Sequence, residues 1–182
     1  EQFLGVRLDL DATSQAALEP TPAIVVCRHV SLFDASLPSL LYQRLGHHTR
    51  GVIMAELLAD PGFDLLYQRA RSVFIRRDVA GGQERIAGFG RGLGPGTVAV
   101  IFPEGRLARD DVRQRSLARL ALRDPPRSAR MAGLRHLLPP RPGGLSALLD
   151  ASPGTDVVVI NHAGFDRYPT FAGLAAQVPL QA

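Results

Sequence analysis

Ala23-Ile-Val-Val-Cys27-Arg-His29-Val-Ser31-Leu-Phe-Asp34 opens on five apolar residues without polar alternation. A continuous valine-rich run of that length is written for a strand buried on both faces. The pattern then changes period: apolar residues at 32, 33, 37, 40, 41 and 45 follow helical spacing over Ser31–Leu45, and Gly46 closes the run. Strand, turn and helix in immediate succession are the unit from which open α/β sheets are built. Pro38 lacks the N–H that would bond the carbonyl of Asp34, so the sequence predicts an early kink there.

The same alternation continues outward. Gly5–Leu10 alternates apolar and polar residues and reads as a half-buried strand. Further strands are expected at 51–54, 73–75, 97–102 and 156–160, with helices at about 62–70, 82–93, 112–123, 128–137 and 143–151. The expected fold is α/β: a single domain with a mixed, largely parallel sheet flanked by helices. Pro125-Pro126 and Pro139-Pro140-Arg-Pro142 act as punctuation inside one domain, and Gly88 to Gly96 as a flexible helix-to-strand connection. The domain is expected to fill residues 1–182, cut short at one or both ends, because the chain begins at Glu1 without a methionine.

Composition narrows the classes of function. The 182 residues are 46% hydrophobic, enough for a substantial core, and a single cysteine excludes a disulfide framework or a Cys-rich zinc site. All 21 cationic residues are arginine, which excludes chemistry that needs a lysine, such as a P-loop or a Schiff base. The net charge of +4 suits an anionic partner: nucleic acid, a phospholipid surface or a phosphorylated substrate. No run reaches the roughly 18–20 apolar residues of a membrane span.

Ten of the arginines lie between Arg106 and Arg141 against only Asp110, Asp111 and Asp124. Arg115, Arg119 and Arg123 fall four apart and would share one helix face, either solvated or serving as a basic collar for phosphates at a membrane.

His29 lies in the turn after the buried strand, with Asp34 five residues on. From that turn the imidazole can fold back toward Asp34, the geometry of a base and its orienter. Ser31-x-x-Asp34 also fits a helix-capping box, the bland alternative. Seventy residues after Asp34, a second valine-rich strand runs into Phe102-Pro-Glu104-Gly105. Ligands of open α/β sheets bind at such carboxyl ends. Gly105 permits positive φ or close backbone approach, and Glu104 suits a substrate hydroxyl or an arginine. His47-His48 lacks a metal-binding partner, H-E-x-x-H is absent, and His162 is expected to pack at a strand end.

Together these stretches resemble the glycerolipid acyltransferases. Cys27–Asp34 resembles their H-x-x-x-x-D block, Ile101–Gly105 their F-P-E-G block, and Arg71–Arg77 the block ending F-I-x-R. Leu137–Gly144 and Val157–Ile160 are similar to segments of the branch with lysophosphatidate and lysocardiolipin acyltransferases. The chain departs from the family where Arg106-Leu-Ala-Arg109 follows Gly105 in place of Thr-Arg-Ser, where Ala55 precedes Glu56, and where Asn161-His162 stands near the usual proline.

The resemblance implies fatty acyl transfer from acyl-CoA or acyl carrier protein, a co-substrate and not a bound cofactor, to the free hydroxyl of a lysophospholipid. The leading acceptor is 1-acylglycerol-3-phosphate, giving phosphatidic acid. It implies His29 as general base and Asp34 as its orienter, with no acyl-enzyme and no metal. Free N–H groups at the helix start after His29 are expected to hold the oxyanion. Phe102, Pro103, Glu104 and Gly105 would bind substrate, and Arg77, Arg106 and Arg141 the phosphates. A place against the cytoplasmic face of the cell membrane follows from that substrate class, and no nucleic-acid partner is expected. The alternatives are another lysolipid or glycolipid acceptor, or a non-catalytic lipid- or nucleic-acid-binding protein using the 106–141 face.

Overall fold

A computed structural model describes residues 8–76, 79–170, 172–173 and 176–177. Its strands are β1 (Ala23–Cys27), β2 (His48–Met54), β3 (Val73–Ile75), β4 (Thr97–Ile101) and β5 (Asp156–Ile160). They form one sheet in the order β3-β2-β4-β1-β5, and every pairing is parallel. No antiparallel strand joins the described sheet, so the expected mixture reduces to its parallel part. Parallel neighbours require crossovers, and the helices supply them. They are α1 (Ala12–Ala16), α2 (Leu37–Gln43), α3 (Pro61–Arg69), α4 (Gly82–Arg91), α5 (Asp110–Ala121), α6 (Pro125–Ala132) and α7 (Pro142–Ala151).

The two central strands explain the unbroken apolar runs. On one face Val25, Cys27, Val98 and Val100 pack with Phe33, Leu37, Leu41 and Tyr42. On the other, Ile24, Ala99 and Ile101 meet Ile86 and Phe89 of α4 and Leu148 of α7. Gly90 lets those two helices approach: a Cβ there would stand 3.2 Å from that of Ala151 and 3.3 Å from the Leu148 carbonyl. Gly88 and Gly90 are therefore helical residues, and only Gly92, Gly94 and Gly96 belong to the expected connection.

Other departures have local causes. Residues 8–10 form no strand, although Leu8 and Leu10 still pack on the core, and residues 5–7 of that expected strand lie outside the described residues. The helix expected from Ser31 begins later. A 3₁₀ turn covers Asp34–Ser36 and α2 starts at Leu37, so Pro38 occupies the first helical turn, where its missing N–H breaks nothing. Likewise α6 starts at Pro125, with Asp124 accepting from the Arg127 N–H at 3.0 Å, three residues before the expected start.

Register places the chemistry. Cys27 pairs with Ile160, and Val26 with Ile101, so the segments leaving β1, β4 and β5 emerge side by side at the carboxyl edge. Those segments carry His29, Phe102–Arg106 and His162.

Candidate active site

The turn between β1 and α2 is organised around one carboxylate. Asp34 is fully buried, and its Oδ1 lies 2.6 Å from His29 Nδ1. Its Oδ2 accepts from the backbone N–H of Val30 at 2.6 Å and of Ser31 at 2.8 Å. Burial alone would push the carboxyl up. Hydrogen bonds from His162 and His29, the attraction of His29 and the Val30 N–H outweigh it and hold Asp34 down at about 2. The carboxylate is thus ionised at neutral pH and takes the proton side of Nδ1, leaving Nε2 of His29 as the basic nitrogen.

His29 is also fixed from the F-P-E-G side. Its carbonyl accepts the Ala108 N–H at 2.6 Å, and the Phe102 ring lies 4.6 Å from its imidazole, centroid to centroid. The two motifs are therefore one unit. Gly105 turns the chain with φ of +62° and donates its N–H to the Phe102 carbonyl at 2.9 Å. A Cβ at Gly105 would meet only Arg141 Cδ at 3.7 Å, so conformation and not crowding calls for glycine.

His29, Phe102, Pro103, Gly105, Arg106 and Arg141 line one groove of about 1,890 Å³. Glu104 is not among the groove-lining residues: it is 6% exposed, with Oε2 buried and unpartnered. Burial pushes its carboxyl up to about 7, against the lowering effects of the Leu138 N–H and the Arg28 charge. Arg106 has a buried, unpartnered Nε. Arg141 stands where α7 begins, its N–H on the Pro103 carbonyl at 2.8 Å. Its guanidinium is pushed down by burial and then by the charges of Arg106 and Arg119. Arg77 lies outside the described residues.

Three expectations change. The N–H groups of the turn are not free for an oxyanion: Asp34 takes those of Val30 and Ser31, Ser31 Oγ takes that of Phe33, and the Pro169 carbonyl that of Leu32. The basic collar is partly spent on the fold. Arg113 donates to the Leu134 and Ala132 carbonyls, Arg127 to that of Pro140, and Arg109 and Arg115 pair with Asp111. Finally, His162 does more than pack at a strand end: its Nε2 lies 3.5 Å from Asp34 Oδ2. Equal spacing of His29 and His162 after paired strand ends was the available signal, legible only with the strand order in hand.

The possible nucleophiles are disposed of by their surroundings. Ser31 is buried, its hydroxyl donating to the Tyr168 carbonyl. Cys27 is 1% exposed and burial pushes its thiol up to about 12. Among the described residues, no cluster of three or more His, Cys, Asp or Glu is placed to hold a metal ion. No helix among them is long and apolar enough to cross a membrane.

The Acyltransferase family model matches residues 10–164. No curated protein and no solved structure gives a significant match.

Proposed function

The chain belongs to the glycerolipid acyltransferase family, and from that premise we propose that it moves a fatty acyl group from a coenzyme A or carrier-protein thioester to the free hydroxyl of a lysophospholipid, foremost 1-acylglycerol-3-phosphate. The observation that carries this reading is the 2.6 Å contact of His29 with a buried, ionised Asp34 at the edge of the groove.

An alcohol is a weak nucleophile at neutral pH. His29 Nε2 takes its proton as the oxygen attacks the thioester carbon, help worth about 10²–10⁴ in rate. Asp34 keeps Nδ1 protonated and stabilises the imidazolium. As the C–S bond breaks, the imidazolium returns the proton to the departing sulfur, so ester and free thiol leave and His29 is neutral again. No acyl-enzyme is required, consistent with the engaged Ser31 hydroxyl and the buried Cys27 thiol.

Arg106 and Arg141 are the proposed phosphate ligands, supported by their place on the groove and by the unpartnered Nε of Arg106. Arg77 joins them on the family motif alone. Phe102, Pro103 and Gly105 form the wall beside the base, and Glu104 backs that wall. The domain is proposed to work against the cytoplasmic leaflet, with part of the 106–141 face near anionic lipid.

Thiol release from acyl-CoA tests the reading. Lysophosphatidate is expected to support turnover better than unphosphorylated monoacylglycerol. Arg106→Ala, Arg141→Ala and Arg77→Ala are expected to raise the acceptor KM more than they lower kcat. Equal losses with phosphorylated and unphosphorylated acceptors would overturn the phosphate assignment.

A further inference from the structure

We propose that His162 is a positioning residue for the acyl transfer, acting through Asp34; this rests on His29 being the base. Parallel pairing of Cys27 with Ile160 brings the residues after β1 and β5 together, and with them two histidines onto one carboxylate. His29 takes Oδ1, and the Nε2 of His162 stands 3.5 Å from Oδ2. The same Nε2 hydrogen-bonds the Arg28 carbonyl at 3.4 Å, so it meets the Asp34 carboxylate as a close electrostatic contact beside that bond.

The tautomer follows from the other nitrogen. Nδ1 of His162 is buried without a partner. A proton there would be a buried donor with nothing to bond, so the geometry points to the tautomer with hydrogen on Nε2. The ring is locked in place: its side chain is 7% exposed, Phe165 meets it edge-on at 5.1 Å, and the His162 carbonyl accepts from Arg28 Nη1 at 3.1 Å.

Asp34 is therefore held by His29 and two backbone amides, with the His162 Nε2 facing Oδ2 at 3.5 Å. With Oδ2 fully engaged, the carboxylate keeps the orientation that presents Oδ1 to His29, and its pull on the His29 proton is moderated. Loss of the His162 contact lets the carboxylate turn and strengthens that pull, which the pH dependence of turnover reads. The charged and titratable groups around the pair are Arg28, Glu104 and the protonated Cys27 thiol, none of which replaces a donor on Oδ2.

The test compares His162→Phe with His162→Gln, whose amide N–H reaches about as far as Nε2. His162→Phe is expected to lower kcat about tenfold, leave the acceptor KM unchanged and move the acid limb of kcat/KM up by about half a pH unit or more. His162→Gln is expected to restore most of both. A phenylalanine variant with unchanged kcat and pH profile, or a glutamine variant no better than it, would overturn the proposal. In the unaltered protein, ¹⁵N spectra are expected to show hydrogen on Nε2 of His162; an Nδ1–H tautomer would overturn it even if neither variant folds. A His29→Ala arm separates the two claims: retained activity there refutes the base itself, whereas lost activity with an indifferent His162→Phe refutes only the positioning role.

Discussion

Glu104→Gln should make the protein more stable, and by an amount that depends on pH. The wild-type carboxyl is 6% exposed and rises from 4.5 to about 7 on folding, chiefly through burial. A carboxyl raised in the folded state binds its proton more tightly there than in the unfolded chain. Its favourable contribution is complete below about pH 4.5 and is lost as pH climbs through about 7. Between those limits the loss amounts to about 3 kcal/mol. Glutamine keeps an oxygen for the Leu138 N–H but cannot ionise, so it does not incur the loss. The variant should match the wild type near pH 4 and gain steadily above it. By pH 7.5 the gain should reach about 3 kcal/mol, or ~6–12 °C in Tm for a chain of this size. Thermal melts of both proteins across pH 4–8 measure it. A Tm difference that stays flat with pH, or a wild type that gains on the variant as pH rises, would refute the reasoning.

Asp34→Asn should lower kcat by about 10²–10⁴, because the amide neither stabilises the imidazolium nor enforces the Nδ1–H tautomer; steady-state kinetics with an unchanged kcat would contradict it. Gly105→Ala should lose about 1–2 kcal/mol from the φ of +62° alone, read as a lower Tm, and an unchanged Tm would contradict it. The Cys27 thiol, pushed up to about 12 by burial, should resist a disulfide reagent at pH 8 in the folded protein and react on denaturation; rapid labelling of the native state would contradict it.

What the sequence carries locally, it carries well. The runs Ala23–Cys27 and Val98–Ile101 are legible as strands because a parallel sheet buries both faces and leaves no polar alternation. Val157–Ile160 is legible only by its β-branched residues, since Val157 and Val159 stay exposed on this edge strand. His29 and Asp34 are legible as partners because five residues around a tight turn leave few places for the two side chains to go. Strand order is another matter. Nothing in the spacing of residue 162 from residue 34 places His162 beside Asp34; the pairing of β5 with β1 does.

The fate of the turn's N–H groups was equally hidden, since a capping aspartate and an oxyanion hole compete for the same donors and only geometry shows that Asp34 holds them. Proline misled twice in the same way. Pro38 predicts a kink and Pro125 is left outside a helix expected from about 128, yet both stand in a first helical turn, where a missing N–H carries no cost. Charge counting shows the basic face but not its structural use: Arg113 and Arg127 keep their charge while their guanidinium groups are held on backbone carbonyls.

The central claim is that His29, held by Asp34, deprotonates a lysolipid hydroxyl beside an acyl thioester. Its most direct measurement is thiol release from acyl-CoA in the presence of lysophosphatidate, with wild type and His29→Ala compared at equal folded concentration. The account predicts lysophosphatidate-dependent release by the wild type and its loss, to the level of the enzyme-free reaction, in the variant. Release undiminished by the substitution would contradict it.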